Sequence, residues 1–162
     1  MKSELLAHID SQSNSVNSNP TATPIQVLVA SSSAYRRWWY VEQLQLYGME
    51  VTTAVDGIDC VRNMRKLQPE VLLLEPSLLW GGSQGVLAVR SEEPELQDIP
   101  VVLIAVDGVS LEWFQLSRYS VQDLIVRRTS GRKLSAALHA ATGRQCKAVS
   151  DHQFAESSNS NK

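Results

Sequence analysis

Residues 68–76 read Gln-Pro-Glu-Val-Leu-Leu-Leu-Glu-Pro, four consecutive apolar residues from Val71 to Leu74 set between prolines and ending on the carboxylate of Glu75. A short apolar run with no polar alternation fits a strand covered on both faces. Three further runs share this character: Gln26-Val27-Leu28-Val29-Ala30, Val101-Val102-Leu103-Ile104-Ala105 and Asp123-Leu124-Ile125-Val126. A fifth, Glu50-Val51-Thr52-Thr53-Ala54, alternates with threonine and is expected at a sheet edge. Segments with helical spacing separate these runs, the signature of βα units feeding a parallel sheet.

The first such segment places Trp38, Val41, Leu44 and Tyr47 at three-residue intervals before Gly48, and the second places Val61, Met64 and Leu67 before Pro69. Both stripes are expected to face the core, with Trp38 and Met64 as packing residues. Val86 to Arg90 offers a shorter third helix, Leu111 to Arg118 a fourth, and Arg132 to Ala141 a fifth with Leu134, Ala137, Leu138 and Ala141 on one side.

The surrounding composition narrows the class. The chain has 162 residues, 43% hydrophobic and 20% charged, with a formal charge of −2. That suits one globular core and gives no global footprint for nucleic acid or an anionic membrane. Residues 1–23, rich in Ser, Asn and Thr, are expected to form a flexible leader, 24–143 the domain, and 144–162 a tail. Two distant cysteines, Cys60 and Cys146, argue against a disulfide framework and point to a reducing, cytoplasmic setting. No apolar run approaches the ~20 residues of a membrane span.

In an open parallel α/β sheet, ligands bind beyond the carboxyl ends of the strands. The residues there are Ser31, Ser32 and Ser33, then Glu75, then Ala105, then Arg127 and Arg128. With Gly48 closing the first helix, the Asp56-Gly57 turn after the second strand, and the stretches QPEVLLLEP and DIPVVLIA, the chain resembles a two-component response-regulator receiver domain over about Ile25 to Gly143. The resemblance implies a flavodoxin-like, doubly wound, five-stranded parallel sheet in the order 2-1-3-4-5 with about five helices.

In that family an acidic pair after the first strand holds magnesium, and an aspartate after the third accepts phosphate. A Thr or Ser after the fourth strand senses the phosphate, and a lysine after the fifth pairs with it. Here the matching positions hold Ser31 and Ser32, Glu75, Ala105 and Arg127, with Arg128 where proline is usual. Magnesium is usually anchored by carboxylates, so two serines and one glutamate make a weak site or none, and no cofactor is expected. Without the ion, phosphoryl transfer loses its main counter-charge. Glu75 either imitates the phosphorylated state or forms a fixed structural ion pair with Arg127, and the second is favoured because Ala105 has no hydroxyl with which to respond.

The resulting expectation is a stand-alone, degenerate receiver domain, not an enzyme, acting as a phosphorylation-independent interaction module. Its partner would be a kinase, phosphotransferase or effector, or a second copy of the chain. Trp39, Trp80, Trp113, Phe114 and Tyr119 are the candidate contact residues, because aromatics favour interfaces. The stretch Trp80-Gly81-Gly82-Ser83-Gln84-Gly85 is expected to be a rim loop, since it lacks the Lys-Ser/Thr ending of a phosphate loop. Two alternatives compete: a flavodoxin-like domain cradling a phosphate-bearing small molecule or nucleotide on Ser31-Ser32-Ser33, and, as a minority reading, nucleic-acid contact through six basic residues between Arg127 and Lys147. His8, His139 and His152 are scattered, and His139 is expected at a surface or boundary.

Overall fold

A computed structural model describes residues 23–105, 119–126 and 129–144. Among them the order is β1 (Gln26–Ala30), α1 (Ala34–Leu46), β2 (Glu50–Ala54), α2 (Gly57–Leu67), β3 (Val71–Leu74), α3 (Gly82–Glu92), β4 (Val101–Ala105), β5 (Asp123–Val126) and α4 (Gly131–Thr142). The strands form one parallel sheet in the order β2-β1-β3-β4-β5, which puts the threonine-bearing strand at an edge as expected. The helix expected at Leu111 to Arg118 lies outside the described residues.

Alternate residues of each central strand point to opposite faces, and the burial follows that period. Leu28, Ala30, Leu72, Leu74, Val101 and Leu103 pack with Cys60, Met64, Val86 and Leu87 of α2 and α3. Val27, Val29, Val71, Leu73, Val102 and Ile104 pack with Tyr40, Leu44, Leu134 and Leu138 of α1 and α4. Both faces are therefore dry, which is why the strands could be continuously apolar. Burial and the negative charges of Asp59 and Asp56 push the Cys60 thiol up to about 12.

Three expectations are corrected here. Trp38 is not a core residue: it is 57% exposed and its ring lies 6.0 Å from that of exposed Tyr35, while Leu44 of the same stripe is buried as expected and Tyr40 is buried beside it. Steps of three residues advance about 300° around a helix, so a stripe from 38 to 47 drifts through about half a turn and cannot keep one face inward. For the same reason Leu67, at the end of the α2 stripe, is 44% exposed, and Cys60 pairs with Met64 at i, i+4 instead. The third helix is also longer than its apolar residues suggest, because α3 begins at Gly82 and takes in Gly82 to Gly85 of the expected rim loop.

Candidate functional site

The carboxyl ends of β1 and β3 lie side by side, with Ala30 in register with Leu74. The first residue beyond each strand is fixed by the sheet: the Glu75 N–H donates to the Ala30 carbonyl (3.0 Å) and the Ser31 N–H to that of Ala54 (3.1 Å). Both side chains are buried, Ser31 fully and Glu75 at 1% exposure. The sequence reading placed these two residues in one pocket, and they meet there: the Ser31 hydroxyl donates to Glu75 Oε2 at 2.6 Å.

The cation that the structure places on Glu75 comes from the first helix, which the sequence offers only as a packing and contact element. Arg36, in the first turn of α1, puts its Nε 2.6 Å from Glu75 Oε1, with its own side chain 24% exposed. The approach is off the N–H direction, so the contact is an ion pair and not a well-directed hydrogen bond. A cation in the first turn opposes the helix dipole, and the α1 first turn holds no acid. Glu75 offsets that charge across the strand-helix turn. The expected partner, Arg127, lies outside the described residues, as does Arg128; Ala105 is the last residue of β4, in register with Val126.

All three serine hydroxyls have work inside the protein. Besides donating to Glu75, the Ser31 hydroxyl accepts from the Ser33 N–H (3.2 Å), and Ser32 Oγ accepts from the Leu79 N–H (3.0 Å). Ser33 is the N-cap of α1, its Oγ accepting from the Arg36 N–H at 3.4 Å. Arg37 Nη1 donates to the Ser31 carbonyl at 2.6 Å. A cradle for a bound anion would have to give up these bonds.

The magnesium ion that the receiver resemblance implies does not fit this donor set. The one carboxylate of the pocket has one oxygen on a hydroxyl and the other on a guanidinium. A divalent cation would meet the positive charge of Arg36 where it needs anionic oxygen. Among the described residues no group of three or more His, Cys, Asp and Glu side chains converges.

The loop after Glu75 folds over the pocket's rim. Ser83 Oγ donates to the Pro76 carbonyl (2.6 Å), and the Gly57 N–H donates to that of Leu79 (3.0 Å). Asp56 caps α2, its Oδ1 accepting from the Asp59 N–H at 2.8 Å. Gly57 is required because a Cβ there would stand 2.5 Å from the Trp80 carbonyl oxygen. That explains the Asp-Gly turn seen in the sequence.

Of the aromatics proposed as contacts, Trp80 is 73% exposed, beside Leu79 at 62%. Trp39 is not an exposed anchor: it is half-buried against the core, edge-on to Tyr40 with ring centroids 5.2 Å apart. Tyr119 is likewise partly buried against the α2–α3 core, and its carbonyl accepts from Arg90 Nη1 at 3.4 Å. Trp113 and Phe114 lie outside the described residues. In the basic segment, Arg132 and Lys133 are exposed, but Arg144 is held by both carboxylate oxygens of Glu70 (3.0 and 2.9 Å) and by the Thr23 carbonyl. His139 is half-buried with Nδ1 2.8 Å from the Ser135 carbonyl, a boundary residue as expected.

No family model matches the chain, and no curated protein matches it. Solved structures do. The chemotaxis response regulator CheY4 of Vibrio cholerae superposes with a TM-score of 0.68 at 17% identity, covering 74% of this chain and 99% of that one. NtrX from Brucella abortus gives 0.68 at 19% identity, over 74% of this chain and 27% of that one. The signal receiver domain of a histidine kinase from Syntrophus aciditrophicus gives 0.66 at 14% identity, over 72% and 89%. No helix among the described residues is long and apolar enough to cross a membrane. The strand order, the two helical layers and these superpositions agree that the chain carries the fold of response-regulator receiver domains.

Proposed function

We propose that this chain is an atypical receiver domain in phosphorelay-type signal transduction, working as a protein-interaction module that needs neither phosphorylation nor a metal, and acting by binding and not by catalysis. The observation that carries the reading is the state of Glu75: buried, hydrogen-bonded by Ser31 and ion-paired with Arg36. A phosphoacceptor must present a carboxylate oxygen in line with the incoming phosphorus, beside a cation that neutralises the developing charge. Glu75 has both oxygens committed, and its cation is part of the chain. The pair fixes one arrangement of the strand ends, so the surface around it is available without a switching event. A kinase, phosphotransferase or effector is the partner class that follows from the fold, and exposed Leu79 and Trp80 on the rim offer it an apolar anchor.

Incubation with acetyl phosphate and magnesium, followed by intact-mass measurement, tests the reading. The mass is expected to stay unchanged, and a labile gain of one phosphoryl group would overturn it. The alternative of a phosphate-bearing small ligand on Ser31-Ser32-Ser33 predicts a thermal shift with nucleotides or flavins, of about 2.7 kcal/mol at ~100 times the dissociation constant.

A further inference from the structure

Two apolar surfaces, on opposite faces of the sheet, are left uncovered among the described residues. The first is on α1. Tyr35, Trp38, Glu42 and Leu46 follow one another at steps of three and four, so they share one side of the helix, and all four are exposed. Tyr35 is 71% exposed and Leu46 65%, and with Trp38 they set a stripe of large apolar side chains in water. Arg36 and Arg37 turn instead to Glu75 and to the Ser31 carbonyl, which leaves Glu42 as the one charge on that side. Glu42 makes no ion pair among the described residues.

The second is a groove of about 640 Å³ between α2 and α3, walled by Ile58, Val61, Val86 and Val89, with Arg62 and Lys66 on its α2 side. Ile58 is 58% exposed, an unusual fraction for an isoleucine in a helix that otherwise faces the sheet. Gly85 leaves the α3 wall open, since a Cβ there would meet nothing within 4 Å. The charged lining is all basic. Arg65 is committed to Glu93 in a two-pronged ion pair, but Arg62 touches only Asp59, at 3.5 Å in an exposed contact of small worth, and Lys66 makes no ion pair among the described residues. An apolar groove with two available cations thus stands opposite, across the sheet, an apolar stripe with one available carboxylate.

The two surfaces also match in direction and spacing. In a sheet of parallel strands each connecting helix runs back against the strands, so α1, α2 and α3 point the same way, α1 on one face and the other two on the opposite face. A second copy shifted along the sheet normal, without rotation, therefore brings its α1 parallel to the groove. From Tyr35 to Leu46 is about 16 Å, the length of α2. With Trp38 level with Ile58, Tyr35 comes level with exposed Val55, Glu42 with Arg62, and Leu46 with the methylene stem of Lys66. We infer that α1 of one copy packs into the α2–α3 groove of the next, Tyr35, Trp38 and Leu46 against its apolar walls and Glu42 on Arg62 and Lys66. The contact joins two different faces and no rotation closes it, so copies stack head to tail in an open series. Glu75 takes no part, and the inference stands whether or not that pocket accepts a phosphoryl group.

The test is sedimentation velocity of the full chain over a hundredfold range of concentration. The average mass is expected to rise with concentration past that of a dimer, without a plateau, and Trp38→Ala should weaken the association at least fivefold. Two charge reversals then probe the two faces separately: Glu42→Lys on the stripe, and Arg62→Glu with Lys66→Glu in the groove. Each variant alone should stay monomeric where the parent associates, with an unchanged melting temperature, because like charges meet at every contact. An equal mixture of the two should associate to within twofold of the parent, since each contact between unlike copies again joins opposite charges. A chain that is monomeric throughout would overturn the inference and leave the groove to a different protein. A mass that levels off at a closed dimer, or a mixture no heavier than its components, would overturn it as well.

Discussion

Arg36→Ala and Glu75→Gln remove the two halves of one ion pair, but burial makes them unequal. Arg36 is 24% exposed and can turn toward water when its partner goes, whereas Glu75, at 1%, has nowhere to take its charge. Removing one partner of a fully buried pair costs about 3–5 kcal/mol. With one partner partly solvated, Arg36→Ala is expected to cost about 2–3 kcal/mol. Glu75→Gln keeps an acceptor for the Ser31 hydroxyl and removes the buried charge, so about 1 kcal/mol is expected. Urea melts of the two variants check the order, and equal losses would mean that the ion pair contributes little. Ser31 and Glu75 were legible from the sequence because strand ends are where a parallel sheet gathers side chains. Arg36 was not, because it reaches the same pocket from the third residue of a helix, where apolar spacing says nothing about which polar side chain turns back to the strand ends. The signal available was an arginine three residues after a serine N-cap, where a glutamate is the favoured choice.

At the scale of elements, two glycines on facing helices should respond oppositely to the same substitution. Gly57→Ala drives a Cβ to within 2.5 Å of the Trp80 carbonyl oxygen and 3.2 Å of the Gly82 nitrogen, both backbone atoms that cannot rotate away. A loss of about 1–3 kcal/mol is expected, with faster amide exchange at Gly57 as its bond to Leu79 lengthens. Gly85→Ala meets no atom within 4 Å and sits inside α3, so it should raise stability by up to ~1 kcal/mol. Chemical denaturation of both variants checks the signs. The pair also shows why α3 was read too short: a helix that opens Gly81-Gly82-Ser83-Gln84-Gly85 begins on the residues that usually mark a loop. The start is set by packing, with Ser83 bound to the Pro76 carbonyl and Gly81 in the left-handed region at φ 87°. Strands were the easier elements, since burial on both faces leaves Val, Ile and Leu in unbroken runs. On α1 the difference is one of phase: Leu44 faces inward as a three-residue count gives, but its buried partner is Tyr40, four residues before it, and not Trp38.

For the whole molecule, the two core layers depend on the sheet and not on the residues at its carboxyl end. Leu28, Leu72 and Leu103 fill one side, Val29, Leu73 and Val102 the other, and the Glu75 pocket lies beyond both. The donor set should therefore be exchangeable without loss of the fold. A variant combining Ser31→Asp, Arg36→Ala and Glu75→Asp replaces a hydroxyl and a guanidinium with a second carboxylate, which is the kind of oxygen cluster that magnesium requires. Without the ion, two carboxylates at adjacent strand ends repel, and the variant should melt below the parent. Magnesium at ~100 times its dissociation constant should return about 2.7 kcal/mol to the variant by mass action. The parent, with Arg36 already against Glu75, should melt at the same temperature with or without the ion. Thermal denaturation across a magnesium series reads both curves at once. A parent curve that rises with magnesium would mean that Arg36 yields its place to a cation and that the pocket is still a metal site. A flat curve for the variant, folded but indifferent, would mean that the strand ends no longer hold the spacing a metal needs, so that the loss extends beyond the side chains to the backbone that carries them.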